Sequence, residues 1–180
     1  MKKILFINGS PRHAGNTRLI MQELKNELNK MGHEIDFCDL YNSPINACLN
    51  CDSCKSNQGK CFMNDAANEL LDKIEEADII IWGSPVYWWG ITAKMKLLID
   101  KFYARDGYFK TLKKEIGLIA VGANDLSDKQ YQLTKEQFSC IADYLGWPVK
   151  FYLPLSAYKA GEIMEDNQVI QTVHEIAKEI

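Results

Sequence analysis

Hydrophobic and polar positions follow two rhythms along this chain. Short continuous apolar runs, the mark of strands buried on both faces, lie at Lys3 to Ile7, Glu34 to Leu40, Asp78 to Gly83 (DIIIWG), Glu115 to Val121 and Val149 to Leu155. Between them apolar residues recur at helical spacing. The sets are Ile20, Leu24, Leu28 and Met31; Leu70, Leu71 and Ile74 within Ala66 to Ala77; and Met95, Leu98, Ile99 and Phe102. Two more follow, Phe138, Ile141 and Leu145, then Val169, Val173, Ile176 and Ile180. Gly32 is placed to stop the first helix. Five strands alternating with five helices predict βαβ units, hence an α/β fold with a doubly wound parallel sheet covered on both faces. Strand order 2-1-3-4-5 is one such arrangement, and it places ligands in the loops after strands one and three.

Composition narrows the setting. The 180 residues show no repeat, linker or low-complexity tract, so a single domain spanning 1–180 is expected. Apolar residues make up 47% and charged residues 25%, with a net charge of −3 and no long basic run. That balance argues against nucleic acid or an anionic membrane as partner. The opening MKKILFINGSPRHAG has an apolar run only from Ile4 to Ile7, too short for the core of a secretion signal. A cytoplasmic, reducing location is therefore expected, where structural disulfides are disfavoured and clustered cysteines point to metal or redox chemistry.

The loop after strand one reads GSPRHAGNT, Gly9 to Thr17. It is neither GxGxxG nor GxxxxGK[ST], so a dinucleotide or nucleoside-triphosphate loop is not indicated. It has what a single phosphate needs: the hydroxyls of Ser10 and Thr17, the Arg12 guanidinium, and a helix opening at Asn16 and Thr17. The simpler alternative is a plain βα turn with Asn16 or Thr17 as helix N-cap. Strand three runs into SPVYWWG, Ser84 to Gly90, where Pro85 and Gly90 bracket three consecutive aromatics, Tyr87, Trp88 and Trp89. Such a loop at the sheet's carboxyl edge suits a flat conjugated ligand; a surface patch for another subunit is the alternative.

Four of the six cysteines fall in CLNCDSCKSNQGKC, as Cys48-x2-Cys51-x2-Cys54-x6-Cys61. Short x2 steps turn successive sulfurs toward one centre, as in bacterial ferredoxins, and all four can ligate one 4Fe-4S cluster. Zinc is a rival, although zinc sites usually present two CxxC pairs with a longer spacer. A loop holding no metal is the third reading. Cys38 and Cys140, on a strand and a helix, read as buried small hydrophobes. His33 and His174 read as solvated, and His13 belongs to the first loop. No Ser/His/Asp or Cys/His arrangement emerges, so no catalytic acid or base is assigned.

GSPRHAGNT followed by GSPVYWWGITAKMKLLIDKF resembles the NAD(P)H-dependent FMN reductase superfamily of flavodoxin-like proteins, and the cysteine run between them resembles its iron–sulfur flavoprotein branch. The resemblance implies that Ser10, Arg12, Asn16 and Thr17 bind the FMN phosphate. It further implies that Pro85, Val86, Tyr87, Trp88 and Gly90 wrap the isoalloxazine, with Gly122 to Asp125 as a third wall. Three positions depart from the family pattern. Asn50 stands where Gly is common in the cysteine segment, Asn64-Asp65 replaces Asp-Asp, and Lys101 replaces an Arg after Asp100. The function implied is reduction of a flavin, quinone or similar small acceptor by NAD(P)H. The alternative is single-electron transfer between ferredoxin and FMN through the 4Fe-4S cluster. A homodimer or higher homo-oligomer goes with either, and a third reading is a scaffold that binds a partner through Trp88 and Trp89.

Overall fold

The computed structural model describes residues 1–180. Five strands, β1 (Lys3–Asn8), β2 (Glu34–Asp39), β3 (Ile79–Pro85), β4 (Glu115–Gly122) and β5 (Val149–Ser156), form one sheet in the order β2-β1-β3-β4-β5. Every neighbouring pair is parallel. This is the flavodoxin-like 2-1-3-4-5 order that the alternating pattern predicts. Helices α1 (Asn16–Lys30), α3 (Ala67–Glu76), α4 (Ala93–Asp100), α6 (Lys129–Leu145) and α7 (Asn167–Glu179) cover it, and two four-residue helices, α2 (Ser53–Ser56) and α5 (Asp106–Phe109), bring the total to seven rather than five. Neither short helix is long enough to show a hydrophobic period.

The strands' period of two sorts the core into two layers. Ile4, Phe6, Ile79, Ile81, Ile119 and Val121 pack against Ile20, Met21 and Leu24 of α1 and Val173 and Ala177 of α7. The alternate residues, Leu5, Ile7, Ile80, Trp82, Ile116 and Leu118, meet Leu70 and Ile74 of α3, Met95 and Leu98 of α4, and Phe138 of α6. Each fully buried aliphatic side chain contributes about 1.5–3 kcal/mol relative to exposure. No helix is long and apolar enough to cross a membrane.

Three details differ from the sequence pattern. Met31 lies past the end of α1 and is exposed, because Gly32 at φ +83° turns the chain away one residue later. Cys140 is exposed rather than buried, on the outer face of α6; Cys38 is buried, and burial pushes its thiol up to about 11. His33 is only half-buried, with Nδ1 shielded and lacking a partner, while His174 Nε2 lies 2.8 Å from Glu23 Oε1.

Strand β3 also continues through Ser84 and Pro85, which pair with Ala120 and Val121 of β4. The aromatic segment therefore leaves a strand already pinned to its neighbour. Just before it, Gly83 lies so close to Met21 of α1 that an added methyl group would run into that side chain. Gly83→Ala is expected to lower the unfolding free energy by about 1–3 kcal/mol through overpacking, measured as a fall in the urea midpoint at unchanged slope.

Candidate functional site

The loop after β1 is held from both sides. Gly9 N–H donates to Gly83 C=O at 2.8 Å, and the buried Thr92 hydroxyl, just before α4, donates to Gly9 C=O at 2.9 Å. Thr92 N–H in turn donates to Ser84 Oγ at 3.1 Å, so one residue ties the first loop to the end of β3. Ser10 is buried, with its N–H on Asn8 Oδ1 (3.0 Å) and its Oγ accepting Arg12 N–H (3.3 Å). Thr17 is buried beside it, and Arg12 is exposed.

Helix α1 opens here without a side-chain cap. Its N-cap is Gly15, not Asn16 or Thr17, and its first turn carries no acidic residue. The contrast lies with α6 and α7, whose first amides are accepted by Asp128 and Asp166. An uncapped N-terminus beside a free guanidinium offers donors and positive potential to an anion. Asn16 is committed elsewhere: Nδ2 donates to Lys159 C=O at 2.9 Å, and Oδ1 accepts Gly161 N–H at 2.8 Å. Its side chain therefore fastens the loop after β5 to the start of α1.

A cavity of about 190 Å³ lies at this edge, lined by Ser10, Arg12, Gly15, Asn16, Thr17, Pro85, Val86, Tyr87, Val121, Gly122, Ala123, Ala157 and Tyr158. The first loop, the start of the aromatic segment and the expected third wall thus meet. Ala157 and Tyr158 are a fourth wall that sequence reasoning missed; the only signal was an aromatic soon after the last strand. Beside Gly122, the buried Gln130 Nε2 has no partner.

The rest of the aromatic segment does not enter the cavity. Tyr87 and Gly90 exchange backbone hydrogen bonds, 2.9 Å from Tyr87 N–H and 3.1 Å from Gly90 N–H. Trp88 and Trp89 between them adopt φ +49° and +59°. Bulky residues rarely hold that conformation, and it turns both rings outward, Trp88 to 91% exposure. Of the residues to which the resemblance gives a wrapping role, Pro85, Val86 and Tyr87 line the cavity and Trp88 and Gly90 do not.

The four cysteines converge. Cys48, Cys51, Cys54 and Cys61 line one small chamber of about 20 Å³ together with Phe62, Met63, Lys101 and Tyr103. The scaffold side is firmly built. Cys61 N–H donates to Asn68 Oδ1 and Asn68 Nδ2 donates to Cys61 C=O, both at 2.9 Å. Tyr103 OH donates to Asp52 at 2.7 Å, Lys55 pairs with Asp106 at 2.8 Å, and Arg105 reaches Gly59 C=O at 3.2 Å while pairing with Asp72 and Glu75. The Lys55 ammonium holds the Asp106 carboxyl below its ordinary value, outweighing desolvation. Gly59, at φ +76°, is where the chain turns back against Arg105.

The other arm is open. Cys48 and Cys51 are exposed, and Ser53, whose Oγ lies 3.4 Å from Cys51 Sγ, donates hydrogen bonds that favour the thiolate and hold that thiol's pKa below its ordinary value. No three of the four sulfurs lie within 4.8 Å of one another. Tetrahedral zinc, with Zn–S of about 2.3 Å, needs sulfurs roughly 3.8 Å apart, so a closed zinc site is not formed. A 4Fe-4S core is larger and takes more widely spaced thiolates. Four thiolates lining one chamber are the donor set such a core takes. Asn50, where the family pattern has Gly, sits at φ +50°, a left-handed conformation that Asn tolerates better than other residues with a side chain.

A profile of the NADPH-dependent FMN reductase family matches residues 2–145. An iron–sulfur flavoprotein of Methanocaldococcus jannaschii is 41% identical over 122 residues, covering 68% of this chain and 63% of that protein. A Bacillus subtilis protein named as an NAD(P)H-dependent FMN-containing oxidoreductase is 26% identical over 183 residues, covering 98% and 97%. In fold, the chain is similar to the Trp repressor binding protein of Bacillus subtilis, with a TM-score of 0.72 at 21% identity, covering 96% and 99%. The chain spans 63%, 48% and 51% of the length of three iron–sulfur flavoproteins it matches.

The left-handed position of Asn50 is open to test. Asn50→Gly is expected to leave the cysteine loop intact, whereas Asn50→Val strains it by about 1–2 kcal/mol. Amide hydrogen exchange across residues 48–61 should quicken in the valine variant alone.

Proposed function

The chain belongs to the NADPH-dependent FMN reductase family, and on that premise we propose that it is an FMN-dependent oxidoreductase taking electrons from NAD(P)H. The acceptor proposed is a flavin, quinone or similar small molecule. The observation that carries this reading is the cavity, where an uncapped helix N-terminus, the exposed Arg12 and the Pro85–Tyr87 wall meet at one sheet edge. The donor set fits a phosphate monoester at one end and a flat ring at the other.

The residues divide the work. Arg12, the Ser10 and Thr17 hydroxyls and the first amides of α1 hold the phosphate; Asn16 keeps the β5–α7 connection against it. Pro85, Val86 and Tyr87 on one side and Gly122 and Ala123 on another hold the ring and exclude water. FMN, when bound, supplies the hydride and single-electron chemistry. Trp88, Trp89 and Gly90 at the rim form an apolar lip over which a nicotinamide or a flat acceptor stacks. No side chain is assigned as acid or base. The protein acts in the cytoplasm as a homodimer or higher homo-oligomer in this reading.

A second reading is favoured by the cysteine chamber. Four thiols on a docked loop suit a 4Fe-4S cluster that passes single electrons between ferredoxin and FMN. Anaerobic purification with flavin, iron, sulfide and zinc measured per chain separates the possibilities of content. Anaerobic addition of NAD(P)H then tests the route: bleaching of the flavin absorbance without a partner is expected. Bleaching by reduced ferredoxin and not by NAD(P)H would show the reductase reading to be wrong. Arg12→Ala is expected to weaken FMN binding by roughly 10- to 100-fold, the worth of a hydrogen bond to a charged group, in a fluorescence titration.

A further inference from the structure

Lys101 follows α4 directly, and its side chain is 2% exposed. A lysine so placed usually carries its ammonium out to water along its flexible stem. This one points inward. Its Nζ lies 3.4 Å from Cys61 Sγ and 3.3 Å from Met63 Sδ. Sulfur in either form is a weak acceptor. The nearest carboxylate, Asp65, is 3.8 Å away. Its oxygens already accept Asn46 N–H and Ala67 N–H, both at 2.9 Å. The ammonium is thus buried with one incompletely engaged counter-charge and unused hydrogen-bonding capacity. Burying a charge that way is costly unless an anion completes the site. A methionine or leucine would fill the same space beside Met63 without that cost.

Among the four thiols, Cys61 is also the one anchored through both its N–H and its C=O, to Asn68. The cation therefore meets the sulfur of a cysteine whose backbone is tied to the scaffold through both its polar groups. Charge and hydrogen bonding at the ligand sulfurs are among the levers that set an iron–sulfur cluster's reduction potential.

We propose that Lys101 is a positioning residue for the cluster held by Cys48, Cys51, Cys54 and Cys61, its buried ammonium at Cys61 Sγ raising the cluster's reduction potential. This rests on the cluster reading given above. The equilibrium concerned moves one electron, from an external reductant onto the iron–sulfide core. No proton is transferred and no bond is broken. The reduced core carries one more negative charge, which the ammonium stabilises; the Asp65 carboxylate, 3.8 Å from that ammonium, opposes it.

The test uses the full chain, anaerobically reconstituted with iron and sulfide, titrated with dithionite through redox mediators and followed by the electron paramagnetic resonance of the reduced cluster. Lys101→Gln is expected to lower the ratio of reduced to oxidised cluster about tenfold at a fixed potential, which is about 59 mV for one electron. Lys101→Arg should keep the wild-type value, and Asp65→Asn, which retains an acceptor oxygen, should shift the ratio the opposite way. Full iron and sulfide content with an unchanged potential in Lys101→Gln overturns the proposal while leaving the cluster reading intact. If Lys101→Gln does not hold iron, Lys101→Met, which fills the same space beside Met63 without the charge, decides: a lowered ratio supports the proposal and an unchanged one overturns it. Wild-type protein that takes up no iron and sulfide overturns the cluster reading and this proposal together.

Discussion

The pairing of β1 with β3 at the centre of the sheet is the constraint on which the site depends. Asn8 lies opposite Gly83, and the next residue continues the pairing as Gly9 N–H reaches Gly83 C=O at 2.8 Å. The chain leaves these two strands toward opposite faces, so a crevice opens between their carboxyl ends. Thr92 keeps that crevice to one width, bonding Gly9 through its hydroxyl and Ser84 through its N–H. It is fully buried, and neither bond competes with water. The uncapped start of α1 and the first residues of the aromatic segment face one another because this register holds.

The cysteine chamber is built on a different part of the scaffold. Its loop follows β2 and is fastened to the stretch between α4 and α5 by Lys55, Tyr103 and Arg105. Three cations, Lys55, Lys101 and Arg105, thus lie along the seam between the loop and the domain. Two of them meet carboxylates at hydrogen-bonding distance. Lys101 instead faces sulfur, and this sets it apart from a purely structural ion pair.

Much of the candidate site was legible in the sequence because loops at strand ends carry local signals. A serine, an arginine and a helix start within nine residues announce an anion; aromatics between a proline and a glycine announce a ligand edge. What escaped that reading depended on long-range contact. The side chain of Asn16 reaches the β5–α7 connection, a contact across more than 140 positions that the first loop does not show. The outward turn of Trp88 follows from its left-handed backbone, which no local pattern shows. Cys140 reads as a small buried hydrophobe yet is exposed, because it falls off the stripe of Phe138, Ile141 and Leu145 that α6 turns inward. Asn50 looks like a weakened match to the family pattern, whereas its backbone conformation meets the requirement that glycine meets elsewhere.

The sequence by itself determined the layers, the parallel order and which loops reach the working edge, since hydrophobic period and strand–helix alternation are local properties that leave few packings open. Tertiary structure alone decided which side chains face which. The fourth wall at Ala157 and Tyr158, the seating of the cysteine loop and the contact between Lys101 and Cys61 each join residues many positions apart. No local pattern encodes such contacts; they follow from the crossing of elements that the core brings together.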